Sequence, residues 1–398
     1  MVKAPQKVLL SKLGTLKKGG AILREKLRPE GAAVILYGDI YTKYAEIVTR
    51  LVSRVDPSAV VDGVRLNDGD IVFAGSGETA EEIGKCIAYV GNEEAYAGGD
   101  VVILSNHGQD ALYLGYALNA EDAIRQKMRL GQGSSVMHLY KDDVGSIQIP
   151  LPPLAEQRKI AEIVRTWDEA IETAEAEHGS LVKQLNGLVQ SLALRIPEGK
   201  APNGWVDWQL GDLVVEVDRR VEWDDDMIYK LVSCARRSGG IFHREDKLGS
   251  EIAVKKMQEI RSGDFILSRM QVLHGGWAMV KPDFAGHHVS DMYMILEPRV
   301  DRLYMPYFDW ISRTSWMRHL AYLASYGVHI EKMTFVPKLF LKSKVRIPDS
   351  IAEQKRIVEI LDGFTQKVEI SSALLELLRS QKRGLMQKLL TGEVRVAV

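Results

Sequence analysis

The sequence predicts an α+β protein in which two tandem mixed α/β domains are separated by two long coiled-coil helices. The first observation is a phrase around Ala-Glu-Gln that occurs twice, at residues 149–164 and 347–361. Glu156 recurs as Glu353, an offset of 197 residues and about half of the 398-residue chain, which indicates a tandem duplication. The second observation is an apolar period of about 3.5 residues after each copy, which is typical of a coiled-coil seam. The third is a series of short, strand-like apolar runs ahead of each copy.

Residues 1–150 are predicted to form the first domain. Its apolar runs at 34–37, 71–73, 87–90 and 101–104 are punctuated by Gly, Asp and Asn, as expected of strands. A loosely apolar face predicts a helix from Leu112 to Met128.

Residues 151–197 are predicted to contain the central helix, over about 155–194. Pro152 and Pro153 precede it and Pro197 ends it. Its seam consists of Ile160, Val164, Trp167, Ile171, Ala174, His178, Leu181, Leu185, Leu188 and Leu192.

Residues 198–346 are predicted to form the second domain, after a linker at 198–204 that is rich in turn-forming residues. Its plan repeats that of the first domain: residues 210–213 match residues 13–16 at the same offset, and an aromatic-rich helix is predicted from Met305 to Leu323. The side chains of the two domains differ far more than those of the two helices.

Residues 347–398 are predicted to contain the second long helix, with Ser350 as N-cap and Glu353 three residues on as a capping box. Its seam consists of Ile357, Leu361, Phe364, Val368, Ser371, Leu375, Leu378, Lys382, Leu385 and Leu389. A helix of about 40 residues is about 60 Å long, too long to bury a seam alone. We therefore expect the two helices to pack against each other.

The composition is that of an ordinary globular protein, with 46% hydrophobic and 26% charged residues. A net charge of −1 does not favour nucleic-acid binding, although residues 3–28 form a basic segment. Cys86 and Cys234 lie far apart and outside any metal-binding spacing, which predicts a reduced, cytoplasmic protein. Neither secretion nor membrane insertion is expected, because the sequence has no apolar signal-like segment at its start and no apolar window of about 18 residues.

The repeated phrase resembles a known family. The Ala-Glu-Gln copies after Pro-rich strands, with residues 384–392 (Gly-Leu-Met-Gln-Lys-Leu-Leu-Thr-Gly), are similar to the specificity subunits of type I restriction-modification systems. Residues 37–40, 77–85 and 98–100 of the first half, and residues 289–293 of the second, resemble phrases of target-recognition domains in that family. The resemblance covers essentially the whole chain.

The resemblance implies two target-recognition domains held apart by antiparallel helices, each domain reading half of a bipartite double-stranded DNA site. It also implies two methyltransferase subunits as partners, and a restriction and translocation subunit in the full complex. No cofactor is expected on this chain, because S-adenosylmethionine would bind the methyltransferase subunit.

Base and phosphate contacts require forked, amide, hydroxyl or cationic side chains on exposed loops. In the first domain the candidates are Lys17, Lys18, Arg24, Lys43, Ser76, Thr79, Gln132, Ser134 and Ser135. In the second domain they are Arg236, Arg237, His243, Arg244, Arg269, His274, Arg313, Arg318 and His319. The alternative for each is a solvated surface residue, or an ordinary turn at 131–135. Candidates for docking the methyltransferase, expected to face outward, are Gln157, Arg158, Gln354 and Arg356.

The sequence does not predict an enzyme. A base-flipping methyltransferase needs an Asn/Asp-Pro-Pro-aromatic loop, whereas the Pro-Pro at residues 152–153 is flanked by leucines. The glycines at 75–77 and 131–133 are too weak a pattern for a nucleotide site, and His287-His288 lacks partners at metal-ligand spacing. Two alternatives remain: the specificity part of a fused restriction-modification enzyme, and a coiled-coil adaptor that binds protein only.

Overall fold

A mixed five-stranded sheet lies in the middle of the N-terminal half of the computed structural model, which describes residues 5–133, 136–193, 195–330 and 333–397. In spatial order its strands are Thr15–Lys18, Val101–Ser105, Ile71–Ala74, Cys86–Tyr89 and Ile47–Val48, of which the last two are parallel and the others antiparallel. Successive side chains alternate, so that Ile71 and Phe73 enter one buried cluster and Val72 enters another. Burial of both faces explains the continuous apolar run in the sequence.

A second five-stranded sheet and four short helices complete the first domain. The strands are Leu27–Arg28, Arg54–Val55, Ala32–Ile35, Ala95–Ala97 and Val64–Leu66 in spatial order, and short pairs join Lys7–Leu9 to Gln148–Pro150 and Ser76–Gly77 to Met137–His138. The helices are Tyr37–Thr42, Ala111–Leu118, Glu121–Leu130 and Lys141–Ser146, and 3₁₀ turns lie at Leu10–Lys12, Arg24–Lys26 and Pro57–Asp62.

The second domain has two four-stranded sheets. In spatial order they are Val214–Val217, Tyr293–Pro298, Phe265–Ser268 and Trp277–Met279, and Ile241–Leu248, Ile228–Cys234, His288–Ser290 and Met257–Glu259. Short pairs join Trp205–Gln209 to Lys344–Pro348 and Ser325–Tyr326 to Thr334–Phe335. The helices are Leu210–Leu213, Met305–Ser312, Ser315–Leu323 and Pro337–Lys342, and 3₁₀ turns lie at Gly249–Glu251, Val272–His274 and Pro282–Phe284.

The helix predicted as continuous in each domain is broken into two. In the first domain the Asn119 side chain bonds the backbone of Cys86 and the carbonyl of Gly115, and a new helix starts at Glu121. In the second domain Thr314 ends one helix and caps the next by accepting a bond from the Met317 amide. Side-chain bonding to the backbone therefore overrides the apolar periodicity at both places.

The two long helices are Leu154–Leu188, followed by a π-helical turn at Val189–Ala193, and Ile351–Thr391. Contacts group the chain into two units, Met1–Glu175 with Ala373–Val398, and Ala176–Ser372. Each unit thus contains a part of each long helix. The domain limits that the sequence suggests, at residues 150, 197 and 346, stay predictions.

In the first unit the helix segments run antiparallel. Glu175 pairs with Arg379 at 2.6 Å, and Asp168 pairs with Lys382 at 2.5 Å, so numbers rise along one helix as they fall along the other. Lys382, a polar residue in the seam, is nearly buried and lies over the ring of Tyr116, whose hydroxyl donates to Asp168. This polar cluster explains why the seam tolerates a lysine.

The apolar seams also contribute to the domain cores. Ile160 and Val164 share a buried cluster with residues of the first domain and with Leu389. In the second unit, Ile357 and Leu361 lie in the core of the second domain. The predicted fold class, two mixed α/β domains with long coiled-coil helices, is confirmed.

Candidate nucleic-acid interface

The turn at residues 235–240 presents two arginines from the second domain. It joins strands Ile228–Cys234 and Ile241–Leu248, and Arg236 and Arg237 are both exposed. Arg237 and Ser238 adopt left-handed backbone, with φ of 59° and 54°. Such backbone costs a residue with a Cβ about 1–2 kcal/mol, so the surrounding structure must compensate.

That compensation comes from a neighbouring turn. The Arg237 amide donates to the His274 carbonyl at 2.6 Å, and the Ser238 amide donates to the Gly275 carbonyl at 2.9 Å. The Arg236 guanidinium donates to the Gln271 side chain at 3.0 Å. The structure therefore brings Arg236, Arg237 and His274 together.

A second basic group lies at the break between helices Met305–Ser312 and Ser315–Leu323. Arg313 lies 4.5 Å from the Trp310 ring centroid and pairs with Asp309 at 2.5 Å. Arg318 donates to the Arg313 carbonyl at 3.0 Å. His319 is exposed on the same helix, so two arginines and a histidine lie close to this helix break.

The remaining candidates of the second domain lie elsewhere. Arg269 is half-buried, pairs with Glu216 at 2.9 Å and lines an open cavity of about 610 Å³. His243 and Arg244 lie on the edge strand Ile241–Leu248, where His243 approaches Asp246 at 3.4 Å. All three side chains have acidic neighbours, Arg244 through Glu245 at 3.9 Å.

The cations of the first domain are exposed but scattered. Lys17 and Lys18 lie on the edge strand Thr15–Lys18, and Arg24 lies in the 3₁₀ turn that follows it in the chain. Lys43 bonds Ser53 at 2.7 Å and Asp39 at 2.8 Å near the end of a short helix. These four side chains are carried by three separate elements.

Gly131, Gln132 and Gly133 are the described residues of the glycine-flanked stretch of the first domain. Gln132 is exposed, and its backbone pairs with that of His138 through two hydrogen bonds. Thr79 is exposed just after the strand Ser76–Gly77, which pairs with Met137–His138. Ser134 and Ser135 lie outside the described residues.

Ser76 was expected to face DNA, and this expectation is wrong. Its side chain is buried; its hydroxyl donates to Asp100 at 2.6 Å and lies 2.9 Å from Nδ1 of His138. A hydrolytic triad places the histidine between serine and aspartate, whereas here the serine is in the middle. The three residues link the paired strands Ser76–Gly77 and Met137–His138 to the turn at Asp100.

The outward orientation expected of Gln157 and Gln354 is also wrong. Both are 0% exposed. Gln157 accepts a bond from the Asp110 amide at 3.1 Å and donates to the Pro152 carbonyl at 2.8 Å. Gln354 likewise accepts from the Tyr304 amide at 2.8 Å and donates to the Pro348 carbonyl at 3.0 Å. A polar side chain at a helix start is buried here because it satisfies neighbouring backbone groups.

The arginines that follow these glutamines are exposed. Arg158 and Arg356 lie one and two residues further on, and Arg356 is paired with Glu353 at 2.9 Å. Both stay candidates for docking a partner subunit.

Nucleophilic and metal chemistry find little support in the described part of the chain. Burial raises the pKa of the Cys86 thiol to about 11 and that of Cys234 to about 12, so neither is a thiolate at neutral pH. Among the described residues, no group of three or more His, Cys, Asp or Glu side chains is arranged to hold a metal ion. In the same ranges no helix has both the length and the apolar character needed to cross a membrane.

The sequence does not predict the roles of Trp277 and His138, and it singles out Asp100 only as part of the phrase at 98–100. Trp277 follows two glycines, and Asp100 lies in a glycine-rich phrase, so local turns were foreseeable. Their partners lie 24 to 62 residues away in the chain. No local pattern encodes contacts over such separations.

A family model described as the type I restriction modification DNA specificity domain matches residues 6–178. The type I restriction enzyme MjaVIII specificity subunit of Methanocaldococcus jannaschii is 23% identical over 355 residues, which cover 83% of this chain and 80% of that protein.

Solved structures share the fold over nearly the full length. The S subunit of a type I restriction-modification system from M. genitalium has a TM-score of 0.56 at 15% identity and covers 97% of this chain and 96% of that chain. The HsdS subunit from Thermoanaerobacter tengcongensis has a TM-score of 0.51 at 16% identity, with 98% and 97% covered. A chain from a study of complex assembly in the type I R-M system reaches 0.60 at 18% identity, with 99% and 100% covered. Together with the match over residues 6–178, these findings show that the chain is similar to type I restriction-modification specificity subunits and shares the fold of the solved S subunits.

Proposed function

We propose that this chain recognises DNA sequence for a type I restriction-modification complex, its first domain reading one half of a bipartite site and its second domain the other half. The match of residues 6–178 to a DNA specificity domain carries the proposal. The second domain supports it with the exposed arginines on its rigid turn at 235–240. The chemistry belongs to two methyltransferase subunits, with S-adenosylmethionine as their cofactor, and to a restriction and translocation subunit.

Selection from random duplex DNA tests this proposal. The chain, purified with its methyltransferase partner, should enrich two short motifs separated by a constant gap. The methyltransferase alone serves as control and should enrich neither motif. A complex that binds DNA without enriching any motif would contradict sequence recognition and favour a coiled-coil adaptor.

We further propose that the long helices set the gap between the half-sites and dock the methyltransferase subunits. Deletion of one heptad from each helix, residues 171–177 with 368–374, removes about 10 Å of helix, equivalent to about three base pairs of B-DNA. The selected gap should shorten while both half-site motifs stay unchanged. Altered motifs with an unaltered gap would show that the helices do not act as a spacer.

A further inference from the structure

We propose that Trp277 positions two DNA-reading arginines, Arg237 and Arg313, and thereby determines the base preference of one half-site. The inference rests on the proposed DNA recognition and deepens it. It assigns specificity to a pair of loops that are far apart in sequence.

The indole of Trp277 connects those two loops. The ring is 1% exposed, and its single N–H is shared between the Ser238 hydroxyl and the Ser312 carbonyl, each 3.1 Å away. Ser238 directly follows Arg237, and Ser312 directly precedes Arg313. One ring in the core of the second domain therefore bonds the side chain of the residue after Arg237 and the backbone carbonyl of the residue before Arg313.

The strand that carries Trp277 also orients the Arg313 side chain. Its residue Met279 donates its amide to Asp309 at 2.9 Å, and the other oxygen of Asp309 pairs with Arg313 at 2.5 Å. The Trp310 ring supports the guanidinium from one face. Arg313 remains exposed despite these contacts. Its guanidinium therefore has little conformational freedom but is accessible to a ligand.

The turn that carries Arg237 is held by backbone hydrogen bonds to the neighbouring turn at His274 and Gly275. Two consecutive left-handed residues are strained, and they persist because their amides bond the His274 and Gly275 carbonyls. A Cβ on Gly275 would lie 3.2 Å from the Ser238 amide nitrogen, so the two turns pack closely. Strain held by surrounding contacts is typical of preorganised binding sites.

The chemistry of the pair suits base readout in the major groove. A guanidinium can donate two parallel bonds to O6 and N7 of guanine, which distinguishes that base from the other three. Such discrimination depends on fork placement within a few tenths of an ångström, which flexible loops do not supply. Arg313 is held by Asp309 and Trp310, and Arg237 extends from a turn whose backbone amides are bonded, so contacts around Trp277 support the loops of both arginines.

Substitution Trp277→Phe removes the shared N–H and keeps an aromatic ring in the core. In selection from random DNA, the complex should keep the motif read by the first domain. Preference at one or two base positions of the other motif should fall about tenfold, the range expected for losing a bidentate contact. Ser238→Ala, which removes one acceptor and leaves the core ring intact, should reproduce part of this loss even where Trp277→Phe fails to fold.

Trp316→Phe is the matched control, since the Trp316 indole nitrogen has no hydrogen-bond partner within the described ranges. It should leave both motifs unchanged. An unchanged second motif in folded complexes of both test variants would overturn the inference, as would equal weakening for all sequences, which indicates phosphate contacts. Failure of the unsubstituted complex to enrich two motifs would instead overturn the proposed function.

Discussion

In the two copies of Ala-Glu-Gln, the glutamines make equivalent contacts, whereas the glutamates that precede them have different partners. Gln157 and Gln354 are both buried and accept a bond from the amide of the residue that precedes a short helix, Asp110 or Tyr304. Glu156 is buried beside Arg395, whereas Glu353 is half-exposed and paired with Arg356 three residues on.

The difference shows which roles survive duplication. Each glutamine has all of its partners inside its own copy, so the duplication reproduced them. The partner of Glu156 is the C-terminal tail, which occurs once; there Gly392, with φ of 77°, ends the helix and turns the chain towards Pro5. A repeated residue keeps its role when its surroundings are repeated with it.

A contact that is present in only one copy also predicts the largest loss of stability, on substitution of Arg219. Asp70 and Asp264 occupy equivalent turns, each accepting a backbone amide bond, but only Asp264 also forms an ion pair with the nearly buried Arg219. Arg219→Ala would leave the Asp264 carboxylate buried without a counter-charge and should destabilise the second domain by about 3–5 kcal/mol. Urea unfolding of the full chain, followed by hydrogen exchange of second-domain peptides, measures this loss.

Arg220→Ala is the control for that experiment, because Arg220 is exposed and its pair with Asp218 lies at the surface. It should change the unfolding free energy by no more than about 0.5 kcal/mol. Equal losses for both variants would mean that the buried ion pair has no special role.

The shared glutamines predict intermediate effects of equal size. Gln157→Ala leaves the Asp110 amide without its acceptor, and Gln354→Ala does the same to Tyr304, so each should cost about 1–3 kcal/mol. Hydrogen exchange should accelerate in the peptide that contains the affected amide and not in its counterpart. Arg158→Ala, at the exposed neighbouring position, should leave both peptides unchanged; a large loss in only one copy would contradict equivalent roles.

The fold was predictable from the sequence where the signal is local or periodic. The duplication, both long helices and the strands at 71–73 and 101–104 follow from spacing and apolar runs. The helix break at Asn119 was not predictable, because the bonds of Asn119 reach Cys86, 33 residues away. The break at Thr314 rests on a local cap to Met317, three residues on, which the apolar periodicity conceals. For the candidate interface, the sequence predicts which side chains could contact DNA but not which of them lie together.

Tertiary contacts decide which members of that set share a surface. Arg236 and Arg237 follow strand Ile228–Cys234 and were identifiable as loop cations, yet their link to the turn at His274 has no sequence signature. Ser76 and Gln157 were misplaced for a common reason: polar side chains are expected at the surface unless their buried partners are known.

The smallest predicted effect is the difference in stability lost when Glu156 or Glu353 is substituted. The Arg395 guanidinium holds the pKa of Glu156 below its usual range, so the pair stabilises the folded chain above the unfolded pKa of about 4.3 and this stabilisation is lost as pH falls through the lower, folded pKa. Glu156→Gln keeps an acceptor and removes the charge, and should cost about 1 kcal/mol at pH 7.

Arg356 lowers the pKa of Glu353 in the same direction, but this pair is exposed to solvent and salt, so Glu353→Gln should cost less than Glu156→Gln. Urea midpoints at pH 7 and near pH 3, with and without added salt, separate the two cases. The Glu156 difference should persist in salt and shrink at low pH, because protonation removes the same charge in the unsubstituted chain. A Glu156 difference that salt abolishes would show that the tail is held no more firmly than a surface ion pair.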